Sequence, residues 1–392
     1  MRHLLCAAIA AAATLSAQDF IHYKFDANCT TEVINYATGP MALPANGTLQ
    51  TNSAISPFDT GVFGGCLAGG ANSAPTYFNR VITGWNPSTQ NVTGDVTIAW
   101  YMRQRAGSAI GTGLNYLMGA YVGGYRLFTN GVAGVGLVQR EILAGGGNNT
   151  VRDFQLPAAT FNIQAAAAAG WVHVAMVVDS TAQTADWYIN GTSVFQLTNV
   201  PGANIVLNGS FMIGAYSTSA TAAGSVYDID EFLMSLRAYS PTEMLALAQV
   251  LRAGDGDYNS DIPSQCGAGN IVLGSTGGRP TLGNAGYALT VTATTPSLFL
   301  LLAGFDRCLF GGAIPLPLDG TPLLPLLNGC WILADAPVLL NGVAVGTPAT
   351  VSLAIPANPA NLGTGVFSQC LGIDLGTFAG SMSNGFASSI GQ

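Results

Sequence analysis

Charge is what this chain of 392 residues has least of. Asp, Glu, Lys and Arg together make up 8% of it, against about 25% in an ordinary globular protein. There is a single lysine, Lys24, and the formal net charge is −8. Binding to nucleic acid needs clustered Lys and Arg to displace counterions. The sequence holds no such cluster, so nucleic acid is excluded as a partner, and an anionic membrane surface is disfavoured on the same ground. Apolar runs long enough to cross a bilayer, about 20 residues, are also missing. "SLFLLLAGF" is short, and "PLPLDGTPLLPLLNGCWILADAPVLL" is broken by Pro, Gly and Asp, so membrane insertion is not expected. Several catalytic signatures are absent as well. Without Cys-x-x-Cys there is no basis for a zinc ribbon or a thioredoxin-like redox centre. Gly-x-Ser-x-Gly and His-Glu-x-x-His are lacking too. "GGGNN" at 145–149 is not followed by Lys and Ser or Thr, so it is a loop and not a phosphate cradle.

What the sequence does have is hydrophobicity, at 49%, and 50 glycines. That combination excludes disorder, which needs low hydrophobicity and high net charge. It points to an all-β protein with many tight turns. The first residues, "MRHLLCAAIAAAATLSAQDF", place Arg2 and His3 before a short apolar stretch and small residues. This reads as a secretory signal over 1–17, and the protein is expected to be secreted, extracellular or at the cell surface. Cys6 would leave with it. Six cysteines then remain, an even number suited to disulfides. Cys29 and Cys66 in the first half form one natural pair. Cys266, Cys308, Cys330 and Cys370 allow three pairings, of which Cys308–Cys330 with Cys266–Cys370 is favoured.

From Gln18 to about Leu236 short β-branched and aromatic runs alternate with turn residues. They include "FIHYKF", "DVTIAWYMR", "WVHVAMVV", "ADWYIN" and "YDIDEFLMSL". Spacing of this kind predicts a sandwich of antiparallel sheets. Asn190-Gly191 supplies the positive φ angles of a two-residue hairpin. One helix is expected after the strands. "SPTEMLALAQVLRAGDG" offers Ser240 as N-cap, Pro241 at N1 and Glu243 to close a capping box, with Gly254 as the stop. The domain reading is therefore a first domain over 18–253, a solvated acidic linker over 254–265 and a smaller disulfide-containing β domain over 266–392. Asp255, Asp257, Asn259 and Asp261 in the linker alternate like half a calcium loop. Ser260 stands where that loop needs Gly, and the closing Glu is missing.

Two stretches of the first domain resemble the LamG-like jelly-roll family, a branch of the concanavalin A-like sandwiches. The matching residues are Trp171, His173-Val174-Ala175, Asp179, Tyr188 and Asn190-Gly191, then Ile229-Asp230-Glu231, Arg237-Ala238 and Ser240. "YKFDAN" is similar to the family's opening strand. The likeness covers about 18–252, and the family does not require Cys29 and Cys66. The last third resembles a C-terminal domain found in secreted planctomycete proteins, on "GGRPTLGNAGYALTV", the Gly-Cys at Cys330 and "SNGF". The first resemblance implies a concanavalin A-like antiparallel jelly roll with one short C-terminal helix. It also implies calcium between Asp26, at the end of the first strand, and Asp230, on the last.

Three functions follow from these readings. Glycoside hydrolysis needs two carboxylates facing each other across a sugar, and "YDIDEFL" offers Asp228, Asp230 and Glu231. On a regular strand Asp228 and Asp230 share one face while Glu231 points to the other, a pattern that fits a structural role better than catalysis. His173, between two valines, reads as a core histidine. The favoured reading is therefore a non-enzymatic binding or adhesion protein for a glycan or cell-surface polymer, with Trp85 and Tyr125 as stacking residues. The alternative is a structural surface or matrix protein that self-associates and takes no small ligand.

Overall fold

The computed structural model describes residues 19–26, 31–37, 45–51, 56–70, 79–85, 91–108, 114–120, 125–130, 135–142, 151–205, 209–216, 225–249, 251, 253–258, 266, 271–322, 327–345 and 347–392. The expected signal segment 1–17, Cys29 and most of the expected linker lie outside them. The chain divides into two units, Met1–Val250 and Leu251–Gln392.

The first unit is a sandwich of two antiparallel sheets. In the first sheet the strand Val96–Gln104 sits between Val172–Asp179 and Tyr227–Ser235. Thr184–Ile189 and Thr192–Thr198 extend it on one side. On the other side Tyr227–Ser235 is met by two short strands in succession, Gly65–Leu67 along its first half and Asp19–Tyr23 along its second. The second sheet runs in the order Val151–Pro157, Val135–Ile142, Arg126–Asn130, Leu114–Gly119, Met212–Ile213, Asn79–Gly84, Ala45–Thr51, Glu32–Val33.

Alternation explains how these residues fill the interior. Val172, Val174, Met176 and Val178 face inward, with Trp100, Trp187 and Phe232, into one large core. The opposite face of the same strand is also covered. Ala175 and Val177 join Ala99, Tyr188 and Leu233 under Met244 of the helix Pro241–Leu247. A strand apolar on both faces is the reason "WVHVAMVV" reads as an almost continuous hydrophobic run. The hairpin at Asn190-Gly191 has φ of 48° and 80°, as its sequence requires.

The helix begins as expected. The Ser240 side chain accepts from the Glu243 N–H, and Glu243 answers to the Ser240 backbone. It ends at Leu247 and not at Gly254, which instead starts a strand. A second short helix, Ile163–Ala169, has no counterpart among the expected elements; Asn162 caps it by accepting from the Ala165 N–H.

The second unit is a smaller β-sandwich. Its wide sheet orders Gly254–Tyr258, Gly385–Ser389, Gly365–Asp374, Ser297–Gly304 and Val338–Ala344, with Gly380–Met382 beside Gly365–Asp374. Its narrow sheet is Ile271–Thr276, Ala288–Ala293 and Ala349–Ser352. The expected linker is thus corrected at its start. Residues 254–258 are a strand, held by full pairing with Gly385–Ser389.

The disulfide expectations need correction. Cys266 is bonded to Cys330, with Cα atoms 5.0 Å apart, which rules out both Cys308–Cys330 and Cys266–Cys370. Cys370 is a buried free thiol. Its strand places it opposite Leu301 in mid-sheet, where its side chain joins the inter-sheet core, whereas Cys266 and Cys330 belong to a separate apolar cluster. Cys66 is likewise a buried free thiol, so Cys29–Cys66 does not form.

Candidate functional site

The acids singled out in the sequence lie on the strand Tyr227–Ser235, and an irregularity decides where they point. The pairing with Val96–Gln104 slips between Asp230 and Leu233, and Glu231 has φ of 47°. This is a β-bulge, one extra residue in the strand. Tyr227, Ile229, Phe232 and Met234 all reach the inner core. The residue inserted between Ile229 and Phe232 lets Asp230 and Glu231 both leave the core face. The expectation that Glu231 faces away from Asp230 holds for a regular strand and fails at this bulge.

Each acid is anchored separately. Asp228 accepts from Arg103 Nε at 2.8 Å, from the Gly69 N–H at 2.9 Å and from Arg105 Nη1 at 3.3 Å. Arg105 also reaches Asp59 at 2.8 Å. Asp230 accepts from the Val62 and Phe63 N–H groups at 2.8 and 3.3 Å and from the Glu231 N–H at 2.8 Å. Glu231 pairs with Lys24 at 3.1 Å and with His22 Nε2 at 3.0 Å. Lys24 is fully buried there.

The electrostatics follow from this wiring. Burial pushes the Asp230 carboxyl well above the usual carboxylate range. The charges of Glu231 and Asp26 add to that, and the two amide donors oppose it. Burial also pushes Glu231 up, but Lys24 and His22 outweigh it and hold Glu231 below its ordinary value. Asp26 accepts from the Gly65 N–H at 3.1 Å. It comes within electrostatic reach of Asp230 because the first strand pairs with the last, Tyr23 against Phe232. Gly65 permits this approach, since a Cβ there would stand 2.6 Å from the Phe25 carbonyl oxygen. Among the described residues, no group of three or more His, Cys, Asp or Glu side chains is arranged to hold a metal ion.

A glycosidase acid must meet its substrate, with a second carboxylate about 5 to 9.5 Å away across the scissile bond. Asp230, raised by its surroundings, is completely buried and held by the amides of 62 and 63. Asp228 is neutralised by two arginines. His173 is buried, and burial lowers its pKa to about 3, so it is a neutral core residue packed 4.8 Å from the Tyr101 ring.

The structure corrects both stacking candidates. Trp85 is 2% and Tyr125 1% exposed. Trp85 packs edge-on to Phe20 and against Phe211, both with ring centroids at 5.4 Å, and Tyr125 lies 6.0 Å from Phe211. Both rings fill the core and neither can lie flat on a ligand.

A different aromatic group occupies the outer face of the second sheet. Leu127 points into the core, so its neighbours Arg126 and Phe128 point outward; beside them the pairing slips, Leu117 and Met118 both enter the core, and Tyr116 points outward. Tyr116 and Phe128 are register partners with rings 5.5 Å apart. Tyr216, just beyond the strand Met212–Ile213, stacks on Tyr116 with centroids at 3.7 Å, and the Arg126 guanidinium lies 5.1 Å above its ring. Both tyrosines are half-buried. Sequence reasoning passed over Tyr116. Alternation breaks where Leu117 and Met118 both enter the core, so neither the outward face of Tyr116 nor its pairing with Tyr216, 100 positions away, has a local signal.

Comparison with known proteins agrees with this architecture. Residues 86–244 match the family described as the Concanavalin A-like lectin/glucanases superfamily. The match spans less than half of the chain and falls within the first unit, whose jelly-roll fold it shares. No curated protein matches the chain in sequence. Among solved structures, domain 4 of AbnA, a GH43 extracellular arabinanase from Geobacillus stearothermophilus in complex with arabinotriose, is 20% identical over 60% of this chain and 100% of that one, with a TM-score of 0.40. The CBM40 of the Ruminococcus gnavus IT-sialidase bound to alpha2,3 sialyllactose is 16% identical over 40% and 84%, with a TM-score of 0.30. The binding domain of Paraclostridial Mosquitocidal Protein 1 is 15% identical over 70% and 63%, with a TM-score of 0.41.

Proposed function

We propose that this is an exported, non-enzymatic binding protein whose first unit takes a carbohydrate or cell-surface polymer on the outer face of its second sheet. The observation that carries the reading is the half-buried Tyr116–Tyr216 pair, with Arg126 over the Tyr216 ring. With Tyr216 stacked on Tyr116 and Arg126 over its ring, the pair offers apolar ring edges and phenol hydroxyls together, which suits a sugar's C–H groups and its hydroxyls. Over the first sheet the outer face is taken up, by the helix Pro241–Leu247 at one place and by the segment 59–66 at another. The acids there are committed to internal pairs, which supports binding without hydrolysis.

Calcium belongs to the same proposal. Asp26 and Asp230 would supply two carboxylate ligands, and carbonyl or water oxygens the remainder of the six to eight that the ion takes. Burial raises Asp230 most, and repulsion from Glu231 and Asp26 adds to it; that repulsion supports this reading, because a divalent cation would relieve it. A glycan array probed with and without calcium, followed by a reducing-sugar assay on every hit, tests the whole. Retention on a glycan without sugar release is expected. Sugar release that vanishes in Asp230→Asn would make the protein a hydrolase.

A second reading, assembly into a surface layer or matrix, draws on the edge strand Val338–Ala344. Leu339 is 55% and Val343 50% exposed there, and uncovered apolar edges invite pairing with another chain. It predicts concentration-dependent oligomers in sedimentation and a silent array.

A further inference from the structure

We propose that the second unit holds one uncharged alkyl chain between its two sheets. The unequal width of the sheets creates the site. The wide sheet continues outward to Val338–Ala344, whereas the narrow sheet stops at the four-residue strand Ala349–Ser352. The overhang leaves a cleft of about 310 Å³. Its floor is the sandwich's own core, Leu289, Leu301 and Val366 among it. Its mouth presents Phe305, 66% exposed, with Val338 at 44% and Leu340 at 37%. A deep apolar floor with an apolar rim fits a flexible hydrocarbon that enters end-on.

The lining sets the chemistry. It contains no charged residue, and its polar side chains are Asn361 and Thr364. Neither has a side-chain hydrogen bond among the described residues. A carboxylate or phosphate head would find no cation here and would lose its hydration. A hydroxyl, ester or amide head would find an amide and a hydroxyl. The volume lies at the lower end of small-molecule sites and accommodates roughly ten groups of water or methylene size, at about 30 Å³ each. The ligand class is therefore a neutral amphiphile with a chain of about ten carbons. This inference does not depend on the carbohydrate reading of the first unit.

The test titrates the full-length protein with 1-decanol and with decanoate at pH 8, and mixes it with phosphatidylcholine vesicles. Saturable 1:1 binding of decanol is expected, with decanoate at least tenfold weaker. Ala303→Trp, which fills the cleft from its wall, should weaken decanol at least tenfold. Thr364→Lys, at the mouth, should strengthen decanoate at least tenfold and covers the case in which the tryptophan variant fails to fold. Co-sedimentation with vesicles that Ala303→Trp abolishes would name a bilayer lipid as the source of the chain. Decanol binding without co-sedimentation would name a free amphiphile. Unsaturable decanol uptake, equal affinity for decanoate, or a dimer that buries the rim and takes no decanol would overturn the proposal.

Discussion

The pair formed by Lys24 and Glu231 shows most plainly how single residues shape the first unit. Both are buried, so removing one partner leaves a charge without compensation, at a cost of about 3 to 5 kcal/mol. Glu231→Ala should lower the unfolding free energy by about 3 kcal/mol or more in urea titrations. Lys24→Met with Glu231→Met, an apolar pair of similar volume, should recover most of that loss. Asp230 provides a pH signature. Its folded pKa is raised, so the native state binds the extra proton, and stability falls as pH climbs from about 4, the unfolded carboxylate value, through the folded one. Glu231, held low by Lys24 and His22, works in the opposite direction. Its stabilisation is full above the unfolded value and is lost as pH drops through the folded one. Urea midpoints measured across pH should therefore show a decline on the alkaline side of pH 4 that Asp230→Asn removes. At this scale the sequence was partly legible. The nearness of Asp26 and Asp230 followed from pairing the first and last strands. The face of Glu231 did not, because a positive φ at a glutamate leaves no trace in composition.

Among the elements, those with strong local signals were read well. The hairpin at Asn190-Gly191 and the start of the helix at Ser240 are where turn and cap chemistry place them. Ser240→Ala should cost about 1 kcal/mol in the unfolding of the first unit, since it removes one half of a reciprocal cap. Elements with weak signals were missed. The strand Ala45–Thr51, "ANGTLQT", carries Asn46-Gly47 near its start, a turn-forming pair, and resembles a loop until the sheet covers it. Ile163–Ala169 is a run of alanines too short to show an apolar stripe. Trp85 and Tyr125 failed for a related reason. An aromatic beside Gly or Asn suggests a rim, and the side-chain direction at a strand end is settled by core packing from distant strands, here by Phe211 for both rings and by Phe20 of the opposite sheet for Trp85.

Across the whole molecule the division into two β units was legible from composition, but the cysteine pairing was not. Four cysteines in one unit fit three full pairings, and the fold adopts none of them: Cys266 joins Cys330, while Cys370 enters a different apolar cluster as a free thiol. Cys66 and Cys370 should resist iodoacetamide in the native protein, because burial raises both thiols, Cys370 to about 12. Both should react fully in denaturant, while peptide mapping without reductant should recover Cys266 joined to Cys330.

The central claim, that the first unit binds a glycan through an aromatic pair and leaves it intact, is tested most directly by calorimetry with the strongest array ligand. Wild type should bind it at one site, and Tyr216→Ala should bind at least tenfold more weakly with unchanged thermal stability. Equal affinity in the two proteins, or cleavage of the ligand during the titration, would contradict the account.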